Sequence, residues 1–211
     1  MDTLLAIAGI AVTLAIGAAL PGASFAMVAH TALSASRRDG LAAALGMGVG
    51  GLVFGTLASL GLVAVFAAEA WIATAFKICG GLYLLYFAAS LWRGAARPAV
   101  FAETGASEAA NPRRSFALAL ATQLSNPKAV LIYVAIFAAF MPADMPAWGF
   151  AVLLPLIFAI EFGWYAVVAL AFSTARPRAA YLGAKGWIDR TAGAVIGALG
   201  AKLVFDAARP G

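Results

Sequence analysis

Long apolar runs alternate with short polar segments along almost the whole chain. Six of these runs are long enough to be membrane spans: Leu4–Ala29, Leu41–Ala68, Trp71–Trp92, Phe116–Met141, Ala147–Ser173 and Trp187–Phe205. A helix needs about 20 mostly apolar residues to cross a bilayer, and each run has a length near or above this value. The pattern predicts an all-α integral membrane protein with six transmembrane helices.

Two of the six runs are interrupted by a proline that has glycine or polar neighbours. Pro21-Gly22 breaks the first run, and Asn126-Pro127-Lys128 breaks the fourth. Proline removes a backbone donor and clashes with the preceding turn, so nearby carbonyl groups lose their helical partners. In lipid, such groups are tolerated where they are buried in protein or face a polar cavity. Broken first and fourth helices therefore predict a substrate site of a transporter between them.

A polar segment divides the chain into two halves. Residues 1–92 contain three predicted spans, residues 93–114 form a cytoplasmic linker without apolar periodicity, and residues 115–211 contain the other three spans. Because each half has an odd number of spans, the halves would have opposite orientations in the membrane. Such inverted halves are common in secondary transporters. We therefore predict one transmembrane domain, residues 1–211, made of two inverted three-helix halves.

The charged residues predict which side of the membrane each loop faces. The basic residues of the loops lie in the first, third and fifth: Arg37, Arg38, Arg93, Arg97, Arg113, Arg114, Arg176, Arg178 and Lys185. The second and fourth loops offer only Glu69 and Asp144. Basic loops stay in the cytoplasm, so both termini are predicted to lie outside. Asp2 and the lack of a basic residue before the first run argue against a signal peptide, and this run is predicted to be retained.

The overall composition excludes a soluble domain. The chain of 211 residues is 64% hydrophobic and 11% charged, whereas soluble domains carry about 25% charged residues. Its mean hydropathy is +0.96, and the lipid bilayer is its first expected partner. The net charge of +5 follows from the basic loops, so nucleic acid is not an expected partner. The single cysteine, Cys79, is expected to be a small buried apolar residue.

Charged residues inside spans are costly in lipid and are therefore the first candidates for function. Glu161 lies about 20 Å along its helix from the outer end of the fifth span, and Asn126 and Lys128 lie at a similar depth. Glu161 and Lys128 could pair with each other, or they could hold the two ends of a zwitterion. Two alternatives are a carboxyl that fixes helix contacts and a Lys128 side chain that extends to the interface. Lys77, Lys202 and His30 fall near predicted span ends, where an interfacial position is expected.

The helix breaks and these charges together define a predicted substrate site. Its candidate residues are Pro21, Gly22, Ser24, Gln123, Asn126, Pro127, Lys128, Glu161 and Tyr165, and Glu161 is also the candidate for proton coupling. Helices that restart after the two prolines are expected to expose backbone amides at Ala23 and Ser24 and near Lys128 and Ala129, which attract carboxylates. Trp164 and Tyr165 are expected to add a ring face and a hydroxyl. No metal, cofactor or enzymatic constellation is predicted.

Four segments identify a known family. They are Ala19-Leu20-Pro21-Gly22, then Arg37-Arg38-Asp39-Gly40-Leu41 through Gly46-Met47-Gly48, then the third-span stretch from Phe76 to Tyr86, and Asn126-Pro127-Lys128-Ala129. In this order the chain resembles the LysE/RhtB family of bacterial amino-acid exporters, also called LysE-type translocators. The resemblance implies an oligomeric protein of the bacterial inner membrane that exports amino acids or related small zwitterionic metabolites by secondary transport. It also makes Lys77 a shared feature of the third-span motif.

The chain departs from the family pattern at two places. Many members read Pro-Gly-Pro in the first span, where this chain has Ala23 after Gly22. Many members also carry an acidic residue in the glycine-rich second span, where this chain reads Gly50-Gly51-Leu52. The role of that carboxylate is then either absent here or moved to Glu161.

Export driven by the proton gradient is the predicted function, because the chain has no nucleotide-binding motif. A toxic-cation exporter of the same superfamily is one alternative, and it would need several converging metal ligands. A non-transporting membrane assembly protein is another, and it would rest on the pairs of glycines spaced four apart. These pairs are Gly46/Gly50, Gly51/Gly55 and Gly193/Gly197. We interpret them as packing within one molecule, with a dimer face as the alternative.

Overall fold

The computed structural model describes residues 3–68, 70–95, 111–142, 144–172 and 175–208. Within these ranges the chain forms eight helices: α1 (Thr3–Ala19), α2 (Ala23–Ser34), α3 (Arg37–Ala68), α4 (Ala70–Gly94), α5 (Pro112–Leu124), α6 (Pro127–Phe140), α7 (Ala147–Phe172) and α8 (Ala175–Ala208). The central part of the predicted cytoplasmic linker, residues 96–110, lies outside the described residues, as does Glu69.

The predicted breaks in the first and fourth apolar runs are confirmed. The axes of α1 and α2 differ by 56° across Leu20-Pro21-Gly22, and those of α5 and α6 differ by 59° across Ser125-Asn126. The carbonyl groups released at the breaks find other partners, as expected for backbone within a membrane. The Ala19 carbonyl accepts a hydrogen bond of 2.9 Å from the Tyr181 hydroxyl, and the Gln123 carbonyl accepts one of 3.1 Å from the Asn126 amide.

The membrane-spanning character of the chain comes from four long helices and the two bent pairs. Long apolar spans cover Arg37–Gly61, Thr74–Gly94, Ala147–Phe172 and Gly183–Ala208 in the described residues. Each bent pair adds one more span if it crosses the membrane as a unit, which gives up to six. A bent pair followed by two long helices occurs twice along the chain, and the inverted relation of the two halves stays a prediction.

The long helices of the first half pack against helices of the second. α3 lies against α5 and α7, whereas α4 lies against α6 and α8. Glycines permit the close approach, because a Cβ atom at Gly46 would lie 2.5 Å from the Phe116 carbonyl oxygen and one at Gly200 would lie 2.8 Å from the Gly81 carbonyl oxygen. Glycines of the pairs named above make such contacts inside one molecule, which favours the intramolecular interpretation over a dimer face.

A buried acidic residue joins the beginnings of α3 and α5. Asp39 is fully buried and accepts hydrogen bonds from the Asn111 amide at 2.8 Å and the Ser115 hydroxyl at 3.0 Å. It also accepts one from the hydroxyl of Ser36, which in turn caps α3 by accepting from the Asp39 amide at 3.2 Å. Asp39 follows two arginines of the first basic loop, and its role between the two helices was not predicted.

The outer surface corrects one expectation and supports another. Cys79 was expected to be buried, but its side chain is exposed on α4, where an apolar thiol suits a helix surface that faces lipid. Tryptophans predicted at span ends, Trp71, Trp92, Trp148 and Trp187, are also exposed. This placement fits their preference for the membrane interface.

Candidate functional site

A cavity of the described structure lies between the two helix breaks. Its empty volume is about 430 Å³, a figure that includes the part open to solvent. Seven of the nine predicted substrate-binding residues line it: Gly22, Ser24, Gln123, Asn126, Lys128, Glu161 and Tyr165. Pro21 and Pro127 produce the breaks but do not line the cavity.

Glu161 of α7 and Tyr133 of α6 form a buried polar contact at the cavity. The Tyr133 hydroxyl donates to Glu161 Oε1 at 2.9 Å. Glu161 Oε2 is buried and has no hydrogen-bond partner in the described part of the chain. Tyr133 was not among the predicted site residues, although a tyrosine inside an apolar helix has a hydroxyl that needs a hydrogen-bond partner. One oxygen of Glu161 is thus held in place, and the other is available for a ligand.

A glycine on α3 makes room for this pair. A Cβ atom at Gly51 would lie 2.7 Å from Glu161 Cγ and 2.9 Å from the Tyr133 hydroxyl oxygen. Real Cβ atoms do not approach other heavy atoms this closely, so any side chain here would have to displace the pair. Gly51 therefore lies directly beside the Glu161 carboxyl. It belongs to the stretch of the second span in which many family members carry an acidic residue, the role that was predicted to be absent here or moved to Glu161.

Changing Gly51 to alanine is expected to reduce transport without unfolding the protein. The added methyl group would push Glu161 and Tyr133 apart, and overpacking of this kind costs about 1–3 kcal/mol. The matched control is Gly163→Ala on α7, where no described atom beyond the local helix backbone lies within 4 Å of the Cβ position. We expect Gly163→Ala to transport at the wild-type rate in the liposome assay described below. Equal rates for Gly51→Ala and the control would show that the position of Glu161 is unimportant.

Lys128 provides a positive charge on another part of the cavity wall. Its Nζ lies 4.8 Å from the centre of the Phe87 ring, and a Cβ atom at Gly22 would lie 3.4 Å from it. Lys128 and Glu161 line the same cavity but form no ion pair with each other. Of the two alternatives for these residues, direct pairing is therefore not the one found in the structure. The cavity instead presents two separate opposite charges.

Only one of the two restarted helices offers uncapped amides. The Asn126 side chain accepts hydrogen bonds from the amides of Lys128 at 3.1 Å and Ala129 at 3.4 Å. These amides are already satisfied, which corrects the expectation that they would bind a carboxylate. The N-cap of α2 is Gly22, which has no side chain, and no side-chain hydrogen bond caps this helix. Its first residues, Ala23 and Ser24, line the cavity.

A group of uncharged polar side chains connects the two breaks. The Ser24 hydroxyl donates to Gln123 Oε1 at 2.7 Å and accepts from Asn126 Nδ2 at 3.2 Å. The Tyr165 side chain lines the same cavity as Ser24 and Glu161. Ser24, Gln123 and Tyr165 are each at least nine-tenths buried. The same cavity thus combines one cation, one carboxyl and several fixed neutral hydrogen-bonding groups.

Other candidate residues from the sequence lie away from the cavity. Trp164, Lys77, Lys202 and His30 are not among the residues that line it. Lys202 forms an exposed ion pair with Asp206 one turn along α8.

A buried carboxyl in α8 was overlooked in the sequence. Asp189 pairs with Lys185 at 2.6 Å and also lies outside the cavity lining. Its position within a predicted span was the signal that could have found it. Among the described residues, no group of three histidine, cysteine or acidic side chains is placed to hold a metal ion.

Comparison with known proteins gives a consistent result. The family model described as LysE type translocator matches residues 15–207. The threonine efflux protein of Escherichia coli strain K12 is 34% identical over 190 residues, which cover 88% of this chain and 91% of the relative. The Salmonella typhi threonine efflux protein matches with the same identity and coverage. The uncharacterized membrane protein YahN of Escherichia coli K12 is 30% identical, covering 88% of this chain and 83% of its own length. No solved structure matches significantly.

Proposed function

The chain belongs to the family of LysE type translocators, and from this premise we propose that it exports small amino acids with uncharged side chains in exchange for protons. The observation that carries the proposal is the cavity between the helix breaks. It contains the Lys128 amine and the Glu161 carboxyl, which are not paired with each other. An α-amino acid carries the complementary pair of charges on neighbouring atoms.

The charge balance of the cavity argues for a neutral side chain on the substrate. Lys128 is the one cation and Glu161 the one carboxyl among the residues that line the cavity in the described structure. A substrate with an additional charge would bring an unpaired charge into a buried site, which costs several kcal/mol. A zwitterion with a neutral side chain leaves no charge without a partner.

The substrate carboxylate is proposed to bind between α2 and Lys128. The first amides of α2 lack a capping side chain, and the positive end of a helix dipole favours an anion there. Lys128 Nζ approaches Gly22, the residue at which α2 begins. A helix N-terminus and a lysine ammonium group together supply both hydrogen-bond donors and a full positive charge.

The substrate ammonium group and a proton are proposed to compete for Glu161. Its Oε2 is buried without a partner, so the carboxyl can either bind a proton or bind an ammonium group. If the carboxyl cannot bind a proton and an ammonium group at the same time, binding of the substrate releases the proton on the side of the membrane from which the substrate enters. The basic residues of the first, third and fifth loops support a cytoplasmic position for these loops, and this orientation in the bacterial inner membrane is part of the proposal.

Threonine is the first substrate to test, because two of the relatives named above are threonine efflux proteins. Purified protein in liposomes with an acidic interior should take up labelled threonine faster than empty liposomes. Collapse of the pH gradient should remove the stimulation. If none of the twenty common amino acids enters faster than into empty liposomes, the proposed function is wrong.

Replacing Lys128 by methionine should lower threonine uptake at least about tenfold. A hydrogen bond to a charged group is worth about 1.5–3 kcal/mol, and each 1.4 kcal/mol is about a factor of ten. Lys202→Met provides the control, because Lys202 is exposed and its ion pair with Asp206 should contribute little. Comparable uptake by Lys128→Met and Lys202→Met would remove Lys128 from the binding site.

A further inference from the structure

The neutral polar group between the helix breaks has a donor that the protein itself does not use. Gln123 accepts a hydrogen bond from Ser24 through its Oε1, and no hydrogen bond of its Nε2 is found in the described part of the chain. A carboxamide nitrogen carries two N–H donors. This nitrogen is not fully enclosed by the protein. Because Gln123 lines the cavity, its N–H groups are open to a ligand there.

The orientation of the Gln123 amide is fixed by a chain of hydrogen bonds. Asn126 Oδ1 accepts from the amides at the start of α6, so Asn126 Nδ2 is left to donate to the Ser24 hydroxyl. Ser24 then uses its own hydrogen to donate to Gln123 Oε1. Because each step sets the direction of the next, the Gln123 nitrogen is held as a donor at the cavity wall.

We propose that Gln123, oriented by Ser24, selects substrates that carry a hydroxyl group on the side-chain carbon next to the α-carbon. The inference rests on the function proposed above and adds its selectivity. The hydroxyl would accept from Gln123 Nε2, and its own hydrogen would donate to the Tyr165 or Ser24 oxygen at the same wall. Gln123 binds the substrate directly, whereas Ser24 acts mainly as a positioning residue.

The position of Ser24 limits the distance between the hydroxyl and the carboxylate of the selected substrate. Ser24 is the second residue of α2, and the uncapped amides beside it are the proposed carboxylate site. A ligand group that touches both places must be only a few bonds long. A hydroxyl on the carbon next to the α-carbon meets this condition, whereas the phenol of tyrosine is too distant from its carboxylate.

Threonine and valine provide a direct test, because they have nearly the same shape and differ in a hydroxyl against a methyl group. A site that hydrogen-bonds a substrate hydroxyl discriminates strongly against the analogue without it, because the site's polar groups are left unpaired. The measurement is the ratio of kcat/KM for threonine to that for valine in proteoliposomes. We expect the wild-type ratio to exceed about ten, since even one hydrogen bond is worth about 1 kcal/mol and an unpaired buried donor costs more.

Two variants and one control separate the outcomes. Gln123→Met retains length and flexibility but has no donor, and it should reduce the ratio at least about tenfold. Ser24→Ala should reduce it by a smaller factor, because it leaves the Gln123 donors in place and mainly releases their orientation. Ser59→Ala is the matched control, since Ser59 is also buried but bonds to the Gly55 carbonyl within its own helix. The ratio should not change in this control.

Contrary results would have distinct meanings. A wild type that transports both amino acids at similar efficiency would overturn the selectivity and leave the exporter function intact. Equal losses for threonine and valine in Gln123→Met would assign the Gln123 donors to the substrate carboxylate and also overturn the inference. Absence of any amino-acid transport by the wild type would overturn the function itself. Size-exclusion profiles of the variants that match the wild type exclude misfolding as the cause.

Discussion

Replacing Glu161 by glutamine is expected to lower pH-driven threonine transport about 10- to 100-fold. The change preserves the volume of a fully packed side chain but removes its ability to carry a proton or a negative charge. Loss of one bond to a charged group costs about 1.5–3 kcal/mol, and each 1.4 kcal/mol corresponds to a factor of ten. The measurement is initial uptake into liposomes with an acidic interior, compared with uptake without a gradient.

The comparison with exchange transport shows which role Glu161 performs. If its carboxyl carries only the proton, Glu161→Gln should still exchange internal for external threonine but should gain nothing from a pH gradient. If the carboxyl also binds the substrate ammonium group, both activities should fall. Asp206→Asn, at an exposed site on α8, is the control for loss of an acid. Wild-type rates in both assays would exclude Glu161 from the mechanism.

Replacing Asp39 by alanine is expected to have the largest effect on stability, a loss of about 2–4 kcal/mol. Asp39 is fully buried and is the common acceptor for donors from Ser36, Asn111 and Ser115. Alanine would leave these donors without their acceptor and would leave a gap between α3 and α5. The expected result is a clear decrease in the unfolding temperature of the detergent-purified protein.

Asp144→Ala makes the same substitution at an exposed loop position and should change stability by no more than about 0.5 kcal/mol. An Asp39→Ala protein that unfolds at the same temperature as the Asp144→Ala protein would show that water replaces the lost acceptor. The contact would then be peripheral, and the beginnings of α3 and α5 would be held by apolar packing alone.

The helix breaks and most of the cavity residues were predictable because their signals are local. Proline acts on the turn that precedes it, so Pro21 and Pro127 locate the breaks from sequence alone. Glu161 and Lys128 are rare ionisable residues within apolar runs. Because such residues are costly in lipid, they usually serve a function. Short-range rules were therefore sufficient to locate most of the predicted residues that line the cavity.

The partners of these residues were not predictable, because they are distant along the chain. Tyr133 lies 28 positions from Glu161, and Asn111 lies 72 positions from Asp39. Which residues meet depends on the rotation of each helix about its axis, and the nearly uniform apolar composition of the spans gives little information about rotation.

The capping role of Asn126 was accessible from sequence, since asparagine before proline at a helix start is a common cap.

The packing of each long helix of one half against helices of the other half limits how the protein can change shape. α3 lies on α5 and α7, and α4 lies on α6 and α8, so the two halves cannot rock past each other as separate rigid bodies without losing their main contacts. The 56° and 59° bends lie between shorter helices, whereas the contacts of α3 with α7 and of α4 with α8 join long helices only. Alternating access to the cavity would then arise from hinge motion at Pro21-Gly22 and Asn126-Pro127 around a frame of long helices that stays in place.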